Sequence, residues 1–440
     1  MVSVDFSDVR EERREVSSIS LVDGKIRSVN SSVLTGASVR AFSGGCWGYA
    51  SVPCGKVKEG IELALRSLHQ GTAKTEIEAP TSVTTRKQRV KKDPRSVDMA
   101  ERIELLTHIE ELQRAVKGVT GSNTTYMDEI DTYHLTNSQG ADMNWEEVRV
   151  RVFSEPVARD GDRIRCSFAS AGGTCGLEML SDPKTEKEVS RSAKEAVALL
   201  KARGPPKGMM TVIADPSVSG LLAHEVMGHA SEADEIVKKR SFLTAAAGRE
   251  VGSNLVTMVD DGTIAGKNGT HVFDSEGTQT SRTVIIDSGV YRGYMHSLET
   301  ASLMGTSPTG NGLAQDFNRR VFVRMTNTFF EGGDRELEEL IENTSEGILA
   351  LKSMSGMEDP VGGGFEGKVL MGYEIKNGRL GELVGSLTLT GNALTILKSV
   401  DGVTKNVEFG CGSCGKGEED IVPISMGGPY MRCRMLVGGD

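Results

Sequence analysis

GPPKGMMTVIADPSVSGLLAHEVMGHASEAD, residues 204–234, is the stretch on which the reading of this chain turns. It opens on a break, Gly204-Pro205-Pro206-Lys207-Gly208, that no helix or central strand carries through. Met209 to Pro216 then reads as a strand. Ser217 or Ser219 is placed to cap a helix. Leu221, Leu222, Ala223, Val226 and Met227 make that helix apolar and buried. Inside it lies HEVMGH, 224–229, which holds two of the seven histidines of the chain.

Two imidazoles and a carboxylate are the parts needed to hold Zn2+ and to deprotonate water beside it. In the H-E-x-x-H motif the histidines sit at i and i+4, about 40° apart around the helix. His224 and His229 stand at i and i+5, which on a regular helix separates them by roughly 140°. One ion cannot be reached from both directions, so the backbone has to change course between them. Gly228 is the residue expected to allow this, through a π-bulge or a helix end. A His-Glu pair on an apolar helix also occurs as a plain buried pair.

A chain of 440 residues is long enough for two or three domains with sizeable cores. Apolar residues make up 38%, aromatics only 5%, and there are 52 glycines, which suits many turns and strands. Lys and Arg number 51 against 61 Asp and Glu, a net charge of −10 that makes a poor generic partner for nucleic acid or an anionic membrane. No apolar run approaches the ~18 residues of a membrane span. MVSVDFSDVREERREVSS at the start lacks the apolar core of a signal peptide. The seven cysteines (46, 54, 166, 175, 411, 414, 433) are odd in number and scattered, which suggests a reducing cytoplasm rather than a disulfide framework.

Residues 1–55 read as a meander with turns at Asp23-Gly24 and Asn30-Ser31. Apolar residues at 57, 61, 64, 65 and 68 give a helix over Lys56–Gln70. RKQRVKKDPR, 86–95, could bind phosphate but reads as a solvated loop or edge strand. Asp93-Pro94 reads as the cap and first residue of a helix with a buried stripe of Met99, Ile103, Leu106, Ile109, Leu112 and Val116. Strands follow from Ser122 to Gly172, turning at Asn137–Gly140 and at Asp160-Gly161. Asp182-Pro183 caps a helix to about Ala202. This order is not a repeated βαβ, so the expected class is α+β. Residues 1–204 form an N-terminal α+β domain with an antiparallel or mixed sheet and helices. Residues 205–440 are expected to form a β-rich domain that carries the histidine motif, dense in turns from Asp261-Gly262 to Asp401-Gly402. Only Arg335–Leu349 reads there as a further helix, so the motif helix is expected to sit in a curled sheet or barrel.

A catalytic zinc site has three protein ligands and an open position. Cys411-x-x-Cys414 offers a third donor, but it also reads as half a structural zinc site, a redox pair or two buried thiols. Cys46 and Cys54 lack the spacing of a second pair, and a thioredoxin-like motif belongs between a strand and a helix.

HEVMGH followed by Ala-Ser-Glu-Ala-Asp (230–234) resembles the signature of the TldD/PmbA family, on its metallopeptidase branch, TldD. Gly-Ser-Cys-Gly-Lys (412–416) resembles the family's C-terminal segment, and Gly-Cys-Trp-Gly-Tyr-Ala-Ser (45–51) its N-terminal domain. TMVDDGTIAG (257–266), FDSEGTQT (273–280) and the closing LVGGD (436–440) extend the likeness over most of the chain. The resemblance implies a cytoplasmic zinc peptidase that cleaves peptides or unfolded polypeptides. It implies that 205–440 is the catalytic domain, with Zn2+ on His224, His229 and Cys414 and with Glu225 as general base. Cys411 departs from the family pattern, and three readings of it stay open: approach to the metal, pairing with Cys414 on oxidation, or no role. The PmbA/TldE paralogues lack the histidine motif, and a TldD subunit works with such a partner, so a homodimer or a heterodimer with a PmbA/TldE-like chain is expected. Asp234 and Glu232 are candidates to hold the far N–H of a histidine ligand. His271 and His296 are candidates to donate to an oxyanion.

Three rival readings stand. HExxxH also resembles the dipeptidyl-peptidase III type, whose third ligand is a glutamate on a following helix, and no such helix with paired acids follows residue 235. A non-catalytic regulatory partner would have no reason to hold one zinc per chain. A thiol oxidoreductase using Cys411 and Cys414 would be indifferent to chelators.

Overall fold

The computed structural model describes residues 4–69, 71, 75–417 and 419–439. The class is mixed α+β, as the sequence implied. In the N-terminal half run β1 (Phe6–Val22), β2 (Lys25–Ser43), β3 (Cys46–Val52), α1 (Val57–Ser67), β4 (Val83–Lys87), α2 (Met99–Arg114), β5 (Val119–Asn137), β6 (Asp142–Asp160), β7 (Arg163–Cys166), β8 (Ala169–Gly173) and α3 (Pro183–Leu199). The eight strands form one sheet in the order β3-β2-β1-β5-β6-β4, with β7 and β8 also on the β6 edge. All its pairings are antiparallel except β4 with β6. Alternation along β1 and β5 sends Ile19, Leu21 and Tyr126 inward, where Leu106 and Ile109 of α2 cover them.

The sequence misplaced some boundaries. Asn30 and Ser31 make no turn: they lie inside β2, paired with Ser18 and Ser17. Asp93-Pro94 starts only a 3-10 turn, Pro94–Ser96. Val97 then goes extended and buried, and Asp98 caps α2 by accepting the Glu101 N–H. Val116 falls beyond the end of that helix. Gln70, the expected end of the first helix, lies outside the described residues. Arg335–Leu349 is helical only over Leu337–Glu342. Ile348 and Leu349 belong instead to the strand Glu346–Asp359, because pairing with two neighbours outweighs their local propensity. Three short helices, Ala233–Val237, Leu298–Met304 and Ala393–Lys398, were missed.

The second half opens with β9 (Gly208–Ala214) and α4 (Pro216–Leu221). Around β9 the strands close into a ring. Glu346–Asp359 pairs with β9, β9 with Met431–Gly438, that strand with Leu387–Asn392, that one with Gly364–Lys376, and the last pairs back with Glu346–Asp359. α4 packs on this barrel-like sheet. Leu221, Leu222, Val226 and Met227 are all at most 3% exposed, in one core with Val369, Leu389, Met435 and Val437. Burying each contributes about 1.5–3 kcal/mol. A six-stranded sheet runs beside it: Val290–Tyr291, Arg282–Asp287, Met258–Asp261, Asn327–Phe330, Glu419–Gly428 and Glu408–Lys416. Its last hairpin carries Cys414.

The two halves are tied by buried polar contacts. Arg149 of β6 donates to the carbonyls of Asn268 (3.1 Å) and Thr270 (2.7 Å), and Asn268 Nδ2 donates in turn to Gly412 O at 2.8 Å. The N-terminal sheet thereby braces the strand that carries Cys414. Lys352 pairs with Glu195 of α3 and donates to Phe168 O at 2.6 Å.

Candidate functional site

The motif helix starts at Asp215, not at a serine. Asp215 Oδ1 accepts the N–H groups of Ser217 (3.0 Å) and Val218 (2.9 Å), Pro216 fills the first turn, and the Ser217 hydroxyl donates to Asp215 at 2.7 Å. After Leu221 the ladder changes. Leu222–Gly228 is π-helical, and the His229 N–H donates to His224 O. An i→i+5 bond stacks residue i+5 above residue i, so the angular gap of a regular helix is removed. The two imidazoles meet with ring centroids 4.9 Å apart at 79°. The π-bulge expected from the spacing is therefore present. The reason for Gly228 is different from the expected one. Its φ of −61° and ψ of −60° are open to any residue. What demands glycine is space, since a Cβ there would lie 2.1 Å from Met325 Sδ.

Cys414 arrives from the hairpin strand, paired with Val422. Its Sγ is 3.5 Å from His229 Nε2, and donor atoms of His224, His229 and Cys414 all lie within 4.8 Å of one another. Donors held ~2.0–2.3 Å from a zinc ion stand roughly 3.3–3.8 Å apart around a tetrahedron. The cluster fits such an ion, and the buried Nδ1 of His224 has no hydrogen-bond partner among the described residues. Cys411 is not in the cluster. Three steps along a strand turn it to the opposite face. Its carbonyl accepts from Ser170 (3.3 Å), and burial pushes its thiol up.

The electrostatics favour an anionic sulfur and a cation. Burial raises the Cys414 thiol, but His224 and His229 outweigh it and bring it down to about 5. Burial opposes a charged His229 ring, yet Glu232 and Cys414 lift it well above the ordinary histidine value. The same charges favour a divalent ion in place of the ring proton. Of the two acids after the motif, Glu232 reaches the histidine: its Oε2 is 3.3 Å from His229 Nδ1. Burial opposes its charge too, but Lys416 and His229 hold it down to about 2. Asp234 instead accepts from Lys416 at 2.7 Å.

Glu225 projects towards a different neighbour. It, His229 and Glu358 also have donor atoms within 4.8 Å of one another. Burial lifts the Glu225 carboxyl to about 7, against the pull of His224 and with the help of Glu358. Gly356 makes room for it, because a Cβ there would meet Glu225 Cγ at 2.6 Å. His271 is turned away into an ion cluster with Glu147 (3.0 Å) and Arg149 (3.1 Å). His296 is buried beside Thr309, and burial lowers its ring to about 4. Neither belongs to the donor cluster. Sequence reasoning missed Lys416 and Glu358. Lys416 was within reach, two residues past Cys414 on the strand. Glu358 is remote in sequence and follows no motif.

Comparison with known proteins gives one family along the chain. Residues 207–439 match a model described as the PmbA/TldA metallopeptidase C-terminal domain, 92–203 its central domain, and 7–69 its domain 1. A protein of Methanothermobacter thermautotrophicus named "Metalloprotease" is 34% identical over 99% of this chain and 96% of its own. A "Zinc metalloprotease TldD homolog" of Saccharolobus solfataricus is 24% identical over 99% of this chain and 96% of its own. The crystal structure of TldE from Thermococcus kodakarensis covers 99% of this chain and 96% of its own at a TM-score of 0.76 and 20% identity, which shows a shared fold. With all three family segments matched along its length, the chain belongs to the TldD/PmbA metallopeptidase family.

Proposed function

We propose that this chain is a zinc-dependent peptidase of the TldD type, cleaving peptides or unfolded polypeptides in the cytoplasm. The observation that carries the reading is the meeting of His224, His229 and Cys414, from two remote segments, at donor distances suited to one ion. These three residues would hold Zn2+, leaving a fourth position for water or substrate. Bound zinc acidifies water and polarises a peptide carbonyl.

The residues of the chain supply the rest. Glu225, next to His224 and lifted to about 7, takes a proton from attacking water and hands it to the leaving nitrogen. Glu232 fixes the His229 ring through Nδ1, which leaves Nε2 as its free donor atom. Substrate enters as an added strand. Glu346–Asp359 is paired with β9 only over Gly347–Ala350, and beyond that it runs on past Glu225, with Met354 and Met357 exposed. Main-chain pairing of this kind reads backbone rather than side chains, as a peptidase of unfolded chains requires.

The reading divides the chain at 204–208, with an N-terminal α+β unit to residue 204 and the catalytic unit from 205. The partner would be a second copy or a PmbA/TldE-like paralogue, a reading supported by the TldE-like fold. Seven free cysteines suit a reducing compartment, and no described helix is long and apolar enough to cross a membrane. The test is hydrolysis of unfolded casein by the purified protein. Activity should vanish on chelation and return with zinc; hydrolysis that survives complete metal removal would defeat the proposal.

A further inference from the structure

We propose that Lys416 is a positioning residue. It holds the strand that carries Cys414 against the turn that carries His229, so that the two donors face each other before any metal arrives. The inference rests on reading His229 and Cys414 as donors to one metal.

The geometry is a closed ring built from two segments. Cys414 and Lys416 lie two apart on the strand Glu408–Lys416. His229 and Glu232 lie three apart, across the 3-10 turn that follows the π-helical segment. Cys414 Sγ approaches His229 Nε2 at 3.5 Å, His229 Nδ1 approaches Glu232 Oε2 at 3.3 Å, and Lys416 Nζ donates to Glu232 Oε2 at 2.8 Å. Two side-chain links therefore join the same two stretches of chain, one through the donors and one behind them.

The ammonium group is fully committed. Its three protons meet three acceptors: Glu232 Oε2, Asp234 Oδ1 at 2.7 Å and Val323 O at 3.0 Å. The Lys416 side chain is 11% exposed and that of Glu232 1%, so water screens this pair far less than a surface pair. The Val323 carbonyl brings in a third segment, the one whose Met325 packs against Gly228 of the π-helical turn. Lys416 thus braces both histidine-bearing backbone and cysteine-bearing backbone. Cys414 itself is braced at its carbonyl, which accepts from Arg324 at 2.5 Å. That bond fixes the strand, and the Lys416–Glu232 pair ties the strand to the histidine turn directly behind the donors.

The experiment uses the full-length, zinc-free protein with Lys416→Met and with Lys416→Met/Asp234→Asn. The second variant keeps the net charge of the Lys416, Glu232 and Asp234 group, so a fold lost through uncompensated charge is restored. Iodoacetamide labelling is followed at each cysteine by mass spectrometry, and Co2+ is titrated into each protein. Cys433, buried in another strand, reports global opening. Expected are about tenfold faster labelling of Cys414 with Cys433 unchanged, at least about tenfold weaker Co2+ binding, and a shifted thiolate-to-cobalt absorption band. Unchanged Cys414 labelling in the charge-matched variant would overturn the proposal, as would Cys414 and Cys433 rising together. A native protein that takes up no Co2+, combined with selective Cys414 exposure in the variants, would leave the clamp standing and remove the metal reading.

Discussion

Replacing Gly228 by alanine probes why the motif can serve one ion from positions 224 and 229. The new Cβ would lie 2.1 Å from Met325 Sδ and 3.2 Å from its Cε, where comfortable contact is about 3.5–4.0 Å. Met325 has to withdraw by more than ~1 Å, yet it is 1% exposed in the core that holds Val226 and Met227. Overpacking of this kind costs about 1–3 kcal/mol. The backbone dihedrals add nothing, since an alanine adopts them freely. Two routes can relieve the clash. If Met325 yields, the zinc-free protein loses that stability and its urea midpoint falls. If the π-helical turn yields, His229 moves away from His224 and zinc affinity drops, about tenfold for each ~1.4 kcal/mol. Zinc competition against a chromophoric chelator and urea unfolding of the zinc-free protein together should account for the full cost. Met325→Ala added to Gly228→Ala should then be less damaging than the two single changes summed, because the first removes the Met325 part of the clash and leaves the 3.1 Å approach to Ala223 O. A Gly228→Ala protein equal to the native one in both assays, or strict additivity in the double variant, would refute the packing explanation.

Glu225→Gln should retain zinc while peptidase turnover falls by at least ~10²-fold, measured under saturating substrate. Cys414→Ser should weaken zinc binding, because a hydroxyl is a poor substitute for a thiolate, whereas Cys411→Ser, on the opposite face of the strand, should keep both metal and activity in equilibrium dialysis and hydrolysis assays. Glu147 gives a pH signature. Burial opposes its charge, but His271 and Arg149 hold its carboxyl down at about 2, so its stabilising contribution is full above the ordinary glutamate value of about 4.3 and is lost as pH falls from there through about 2. It amounts to at most about 3 kcal/mol. The stability gap between native protein and Glu147→Gln should close over that window in acid titrations of unfolding, and a gap that stayed constant would contradict the assignment.

Much of the site was legible because its signals are local. HEVMGH announced two histidines on one apolar helix, and their spacing demanded a change of helix geometry that the π-helical segment supplies. The role of Gly228 was not legible, since it depends on Met325 approaching from ninety-odd residues away. The helix start was misread at Ser217 or Ser219, although Asp215-Pro216 repeats the Asp-Pro signal that correctly marked α3. The split of Cys411 from Cys414 follows from strand periodicity, once the segment is known to be a strand. Arg335–Leu349 failed for the opposite reason: its helical pattern was real as far as Glu342, and sheet pairing claimed the rest. Glu358 had no local signal. It comes to Glu225 because Glu346–Asp359 runs past the motif helix in the closed sheet, a relation that only the tertiary fold creates.

The most direct measurement is metal analysis of the purified chain combined with anomalous scattering from its crystals at the zinc edge. The expected result is one zinc per chain, with a single anomalous peak within bonding distance of His224, His229 and Cys414. A chain without zinc, or a peak ligated by both Cys411 and Cys414 in a protein inert towards peptides, would contradict the catalytic site.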